Sequence, residues 1–198
     1  MRRLWLTGAA LLCLASAALA VTPLDYTRTT LEQTRAIVDS QRTHDEKLAA
    51  LSTLLKTFLD TDTMGRAALD KHWSQFSPAQ QKEFLSLFRE LFQRTYVQKL
   101  LLFERPDFAY VGAEQLPGGT ARVDTKIITA RDEFAVTYQE RPEGDHWLAT
   151  DIKIEDLSLT ANFRHQFDRL LTKSSVEEVL GRMRKKYSPG GKGSEDEL

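Results

Sequence analysis

The stretch Glu133-Phe134-Ala135-Val136-Thr137-Tyr138-Gln139-Glu140, then Arg141-Pro142-Glu143-Gly144-Asp145, then His146-Trp147-Leu148-Ala149-Thr150-Asp151-Ile152-Lys153-Ile154 decides the fold. Phe134, Val136 and Tyr138 recur at every second residue, as do Ile152 and Ile154, which is the period of a half-buried strand. The residues between the two runs are turn formers, too few for the crossover that parallel strands need, so the strands pair antiparallel. Towards the N-terminus the same period predicts strands over 107–114 and 120–130, parted by Leu116-Pro117-Gly118-Gly119. Arg131-Asp132 then turns into the strand over 133–140, and the last strand is placed over 146–157. Short turns between four consecutive strands make an antiparallel meander.

Before Pro106 the apolar period is close to 3.6, that of a helix. Pro23 opens a helix carrying Leu24, Leu31, Ile37 and Val38, which ends in the polar stretch Ser40 to Thr43. Thr43 and Glu46 have the spacing of a capping box, in which a hydroxyl and a carboxylate satisfy each other's free backbone N–H groups, and start a helix with Leu48, Leu51, Leu54, Leu55 and Phe58. Asp60-Thr61-Asp62-Thr63 caps a short helix containing Met64, Ala67, Ala68 and Leu69, with His72-Trp73 near its end. Ser77-Pro78-Ala79-Gln80 starts a long helix over 78–103, whose apolar stripe from Phe84 to Phe103 is too wide for one flat neighbour and predicts contact with two layers. Two more helices follow the strands, over 159–172 and 175–187. The expected class is α+β, a four-stranded antiparallel meander covered by N-terminal and C-terminal helices in one domain, 21–187.

The chain has 198 residues, 41% of them hydrophobic, and Lys+Arg 27 against Asp+Glu 28 leave a net charge of −1, which gives no general attraction to nucleic acid. Residues 1–20 read as a signal peptide, with Arg2 and Arg3 before an apolar run and Ala18-Leu19-Ala20 as the cleavage site. The Gly-rich, polar stretch 188–198 is expected to be a disordered tail. The single cysteine, Cys13, falls in the signal, so the mature chain is left without thiol catalysis or cysteine-held metal. His44, His72, His146 and His165 lack the spacing of a metal site, and no phosphate-binding, dinucleotide-binding or nucleophile-elbow motif occurs. No catalytic residue, metal or cofactor is expected. The pairs Asp60/Asp62 and Glu155/Asp156 read as a helix cap and a solvated strand end. Arg182, Arg184, Lys185 and Lys186 read as complements to a helix C-terminus.

Two stretches carry a resemblance. The first is Asp60-Thr61-Asp62-Thr63-Met64-Gly65-Arg66-Ala67-Ala68-Leu69-Asp70-Lys71-His72-Trp73, followed by Phe76-Ser77-Pro78-Ala79-Gln80-Gln81-Lys82-Glu83-Phe84 and Phe88-Arg89-Glu90-Leu91 to Tyr96. The second is Asp151-Ile152-Lys153-Ile154-Glu155-Asp156-Leu157-Ser158-Leu159, leading to Asn162-Phe163-Arg164-His165-Gln166-Phe167. Together they resemble the MlaC family, the periplasmic lipid shuttles also called toluene-tolerance auxiliary proteins, over about 22–187 and in the same order of elements. The resemblance implies helices packed on a curved sheet around a deep apolar pocket that holds a phospholipid by its acyl chains. It implies exchange with an outer-membrane lipoprotein complex and with an inner-membrane ABC transporter bearing an MCE-domain ring. A hopanoid or another apolar lipid is the alternative cargo. The chain departs at Lys173-Ser174-Ser175-Val176, where the family often has glycines. It is expected to act as a monomer.

If such a pocket lies between the long helix and the sheet, Phe88, Leu91, Phe92, Tyr96, Leu100 and Phe103 face Val123, Ile127, Phe134, Val136, Tyr138, Ile152 and Ile154 across it. Trp73, Trp147, Leu159, Phe163 and Phe167 then close its sides. The expected volume is in the upper part of the usual range of about 300–1,000 Å³, or beyond it. Asn162 and Arg164 match the family's Asn-aromatic-Arg motif, with Arg164 expected to tie the last helices to the sheet. The alternatives outside this class are an α+β enzyme with Asp151 or His72 as acid/base, and a structural adaptor between two membrane complexes.

Overall fold

The computed structural model describes residues 21–101 and 106–187. The signal expected over 1–20, the tail over 188–198 and Phe103 lie outside the described residues. Helix α1, Pro23–Val38, starts at Thr22, whose hydroxyl accepts the Asp25 N–H at 3.1 Å. Helix α2, His44–Lys56, carries the capping box Thr43/Glu46, and α3, Thr61–Leu69, is capped by Asp60. A 3₁₀ turn, Asp70–Gln75, leads to α4, Pro78–Phe92, which opens on the capping box Ser77/Gln80.

The single long helix expected over 78–103 is not uniform. Residues Gln93–Val97 form a π turn, and α5, Gln98–Leu100, continues from it. A π turn holds an extra residue, which shifts the phase of the apolar stripe. Upstream of it, Phe84 and Phe88 face Phe163 and Phe167 of α6, Leu159–Lys173. Downstream, Tyr96, Val97 and Leu100 turn towards the sheet side. The wide stripe therefore serves two layers through a change of helix type. Last comes α7, Val176–Tyr187. At the Ser174-Ser175 join, Glu178 accepts the Ser175 N–H at 2.8 Å and Ser175 Oγ accepts the Glu178 N–H, so a reciprocal cap stands there without glycine.

The sheet has five strands, not four: β1 Asp107–Gln115, β2 Ala121–Ile128, β3 Glu133–Glu143, β4 His146–Ile154 and β5 Leu157–Ser158, in sequential order with every pair antiparallel. The expected strand over 146–157 divides because Glu155 and Asp156 adopt positive φ, 52° and 64°, and reverse the chain in two residues. Alternation does not show this, since neither residue is the glycine that normally marks such a turn. Register places Val123 opposite Tyr138, and Val136 opposite Ile154.

Helices cover one face of the sheet. On β2, Ala121, Val123, Thr125 and Ile127 are buried, while Arg122 and Lys126 on the opposite face pair with Asp124 and Glu133. Residues 58–60 close part of the β4 edge, with Ala149 N–H donating to Phe58 O at 2.7 Å and Asp60 N–H to Ala149 O at 2.9 Å. Gly65 lets α3 cross close over α4, since a Cβ there would stand 2.9 Å from Phe88 Cδ1.

Candidate functional site

Between the sheet and the helices lies a cavity of about 260 Å³. The sheet floor is set by strand alternation, which brings Ile127, Phe134, Val136, Tyr138, Ile152 and Ile154 to one face, with Phe108 of β1 beside them. Leu31 and Thr34 of α1, Leu55 of α2, and Phe58 and Leu59 after it form the roof. Phe92, Tyr96, Val97 and Leu100 enter from α4, the π turn and α5, and Leu159 from the start of α6. None of these side chains is charged, and the three hydroxyls among them are occupied. Thr34 Oγ1 donates to Thr30 O at 2.9 Å, Tyr138 is hydrogen-bonded to Thr125, and Tyr96 to Asn162. Burial pushes both tyrosine hydroxyls above their ordinary pKa. The wall thus presents hydrocarbon and ring faces with no polar group left to satisfy.

Of the residues expected to line a pocket, Phe92, Tyr96, Leu100, Ile127, Phe134, Val136, Tyr138, Ile152, Ile154 and Leu159 meet at this cavity. Phe88, Leu91, Val123, Phe163 and Phe167 lie in the solid core instead, each at most 2% exposed. There the rings fill the space themselves: Phe88 stands 5.0 Å from Phe163 edge-to-face, and Phe84 5.0 Å from Phe167. Trp73 sits in the 3₁₀ turn under the Arg66 guanidinium. The Trp147 indole N–H donates to Val21 O at 2.9 Å and so anchors the start of the described chain. Sequence reasoning missed Leu31, Thr34, Leu55, Phe58, Leu59, Val97 and Phe108. Leu31, Leu55 and Phe58 were visible as helical stripe positions and Phe108 as a strand position. Val97 was a stripe position as well, but the π turn that decides which layer it faces leaves no mark in the sequence, and Thr34 carried no apolar signal. The volume, about 260 Å³, is below the expected range.

A family model for the MlaC protein matches residues 26–185. The chain belongs to the MlaC family. No curated protein matches it. A similar solved structure is that of the phospholipid-binding protein from Ralstonia solanacearum in complex with a phospholipid, with a TM-score of 0.72, 20% identity, and coverage of 82% of this chain and 95% of that one. The two share the fold.

The family-like motif at 162–164 divides its work. Asn162 holds the Tyr96 hydroxyl at the cavity wall, while Arg164 ties α6 to α3 rather than to the sheet, donating from Nε to Ala67 O at 3.0 Å. Asp151 and His72 both stand outside the cavity wall. Asp151 accepts from Ser158 Oγ at 2.6 Å and from Thr160 N at 3.1 Å, capping the turn into α6. His72 Nε2 lies 2.8 Å from Asp168 Oδ1, and its Nδ1 3.0 Å from Gln75 Nε2. Among the described residues no group of three or more His, Cys, Asp or Glu side chains is placed to hold a metal ion, and no helix is long and apolar enough to cross a membrane. One buried carboxyl escaped the sequence reading. Glu140 follows Val136 and Tyr138 on the inner face of β3, is 1% exposed, and accepts from Thr27 Oγ1 of α1. Burial pushes its pKa up to about 7.

Proposed function

We propose that this chain is a non-enzymatic periplasmic carrier, exported by its N-terminal 20 residues, that takes a phospholipid by its acyl chains and carries it through water as a monomer. It exchanges that lipid with an outer-membrane lipoprotein complex and an inner-membrane MCE-domain ABC transporter, and so maintains membrane lipid asymmetry. The observation that carries this is the cavity wall, uncharged throughout and with every hydroxyl engaged. The resemblance to a solved phospholipid-binding protein supports it.

Two acyl chains contain roughly 30 CH₂ groups, and leaving them in water costs on the order of 20 kcal/mol. A shuttle must offset nearly all of that and little more, or it loads without delivering. Organic extraction of the purified protein followed by mass spectrometry tests the function. Stoichiometric phospholipid is expected. Absence of lipid, together with failure of stripped protein to take any from vesicles, would end the carrier account.

A further inference from the structure

Helix α1 roofs the cavity with Leu31 and Thr34, yet half of its buried residues are threonines, Thr27, Thr30 and Thr34 beside Pro23, Leu31 and Val38. The Thr30 and Thr34 hydroxyls donate back to their own helix, to Tyr26 O at 3.0 Å and Thr30 O at 2.9 Å, and so hold nothing on the sheet. Of the three, only Thr27 reaches across, one turn before Leu31, to the Glu140 carboxyl. Other polar ties of α1 lie at its margins: Arg35 meets Asp107 at 2.8 Å in water, Arg28 stands over the Tyr110 ring, and the Tyr26 hydroxyl donates to Thr57 O at 3.1 Å. Exposed contacts of this kind contribute little. We infer that Glu140 is a protonation latch: neutral, it fastens α1 over the cavity through Thr27, and ionised, it lets α1 lift and, resting on the carrier function proposed above, opens the lipid's way in and out.

The surroundings of Glu140 suit an acid and not its anion. A bulge in β4 lies beside it, since Gln139 pairs with Asp151 and Glu140 with Ala149, and its neighbours across the ladder, Ala121 and Ala149, are fully buried. Among the described residues its Oε2 has no hydrogen-bond partner. The titratable groups that face it are two phenols, Tyr26 of α1 and Tyr138 on β3, each held above its ordinary pKa in part by the Glu140 charge. Beyond Tyr26 stand Asp145 and the His146 ring, 5.8 Å from the tyrosine ring. At the β4 edge Asp60 and Arg141 are engaged with each other at 2.7 Å. No counter-charge among the described residues answers a carboxylate here, and its one hydrogen bond comes from Thr27. Water entering between α1 and β3 relieves that. The flanking strands are ladder-bonded on both sides of β3, so α1 is the element that gives. Burial carries the carboxyl to about 7, which sets the latch near neutrality. The closed form holds the proton more tightly than an open form whose carboxyl meets water, so closure is complete below about 4.5 and is lost as pH rises through about 7.

The test has two arms on full-length protein. In the first, hydrogen exchange read by mass spectrometry and corrected for the intrinsic effect of pH follows α1. Peptides from 23–38 are expected to open about tenfold more often at pH 8 than at pH 6, while peptides holding Phe163 and Phe167 do not change. Glu140→Gln, a neutral side chain of the same shape, removes the difference. Thr27→Val takes away the one hydrogen bond that favours the charged form and moves the midpoint of the transition to higher pH. In the second arm, phospholipid passes from loaded protein to phosphatidylcholine vesicles, whose headgroup does not titrate in this range. Transfer is expected to quicken about tenfold between the same two pH values in wild type and to stay flat in Glu140→Gln. Exchange of α1 that is independent of pH, a midpoint that Thr27→Val leaves in place, or equal loosening of every segment overturns the latch. Transfer that stays flat while α1 loosens overturns its control of the cavity. Protein that takes up no lipid of any kind ends the carrier reading, and the exchange arm then supports or overturns the latch without it.

Discussion

Two apolar regions of similar composition meet along one helix, and only one of them is hollow. On the α3/α4/α6 side, Gly65 allows close approach, and the rings of Phe84, Phe88, Phe163 and Phe167 interlock at centroid distances of 5.0 to 6.4 Å. On the sheet side, Val136, Ile152 and Ile154 face α1 and the π turn across a gap. Helix against helix brings ridges into grooves and fills space. A twisted sheet under a roof of separate helices leaves a space that short branched side chains do not close. Hydrophobic content therefore does not report function here; the geometry of the opposing layer does.

The largest expected effect breaks the solid side. Phe88→Ala removes a ring from a fully packed site and is expected to cost about 3–5 kcal/mol in urea unfolding, whereas Ile152→Ala, already beside open space, costs less than about 2 kcal/mol. Equal losses would erase the distinction between the two regions. Next comes the titration of Glu140. Burial raises its folded pKa from 4.5 to about 7, so its neutral form is the one the fold favours. Stability is intact below about pH 4.5 and declines as pH rises through about 7, by about 3 kcal/mol in all. Glu140→Gln is expected to match wild type at pH 4 and to melt at a higher temperature at pH 8; identical melting at both pH values contradicts the burial. Gly65→Ala forces a methyl against Phe88 and costs about 1–3 kcal/mol by the same unfolding measurement. Arg164→Ala loses one exposed hydrogen bond to Ala67 O and is expected to cost under about 1 kcal/mol, with lipid uptake unchanged.

Much of the hollow side was legible in the sequence because a strand's period of two states which residues share a face. Phe134, Val136, Tyr138, Ile152 and Ile154 followed from that alone. The helical side was legible as a stripe but not as a division of labour. Phe88 and Phe92 are one turn apart, yet the first is locked among rings and the second reaches the cavity, with the π turn following directly after it. Side-chain periodicity carries no mark of that added residue. Strand β5 was hidden for a related reason, since Glu155 and Asp156 reverse the chain without glycine. The capping boxes at Thr43/Glu46 and Ser77/Gln80 were readable because they are local, complete in four residues. Glu140 shows the reverse limit. Its burial depends on α1 lying across β3, a contact between residues far apart in the chain, and no neighbouring residue announces it.

The most direct measurement is photocrosslinking with a phospholipid carrying a diazirine midway along one acyl chain, followed by mapping of the labelled peptides. The account predicts label on peptides holding Phe92, Tyr96, Val136, Ile152 or Ile154, and none on Phe84 or Phe167. Label concentrated on the ring cluster, or confined to the outer face of the sheet around Arg122 and Lys126, would contradict it.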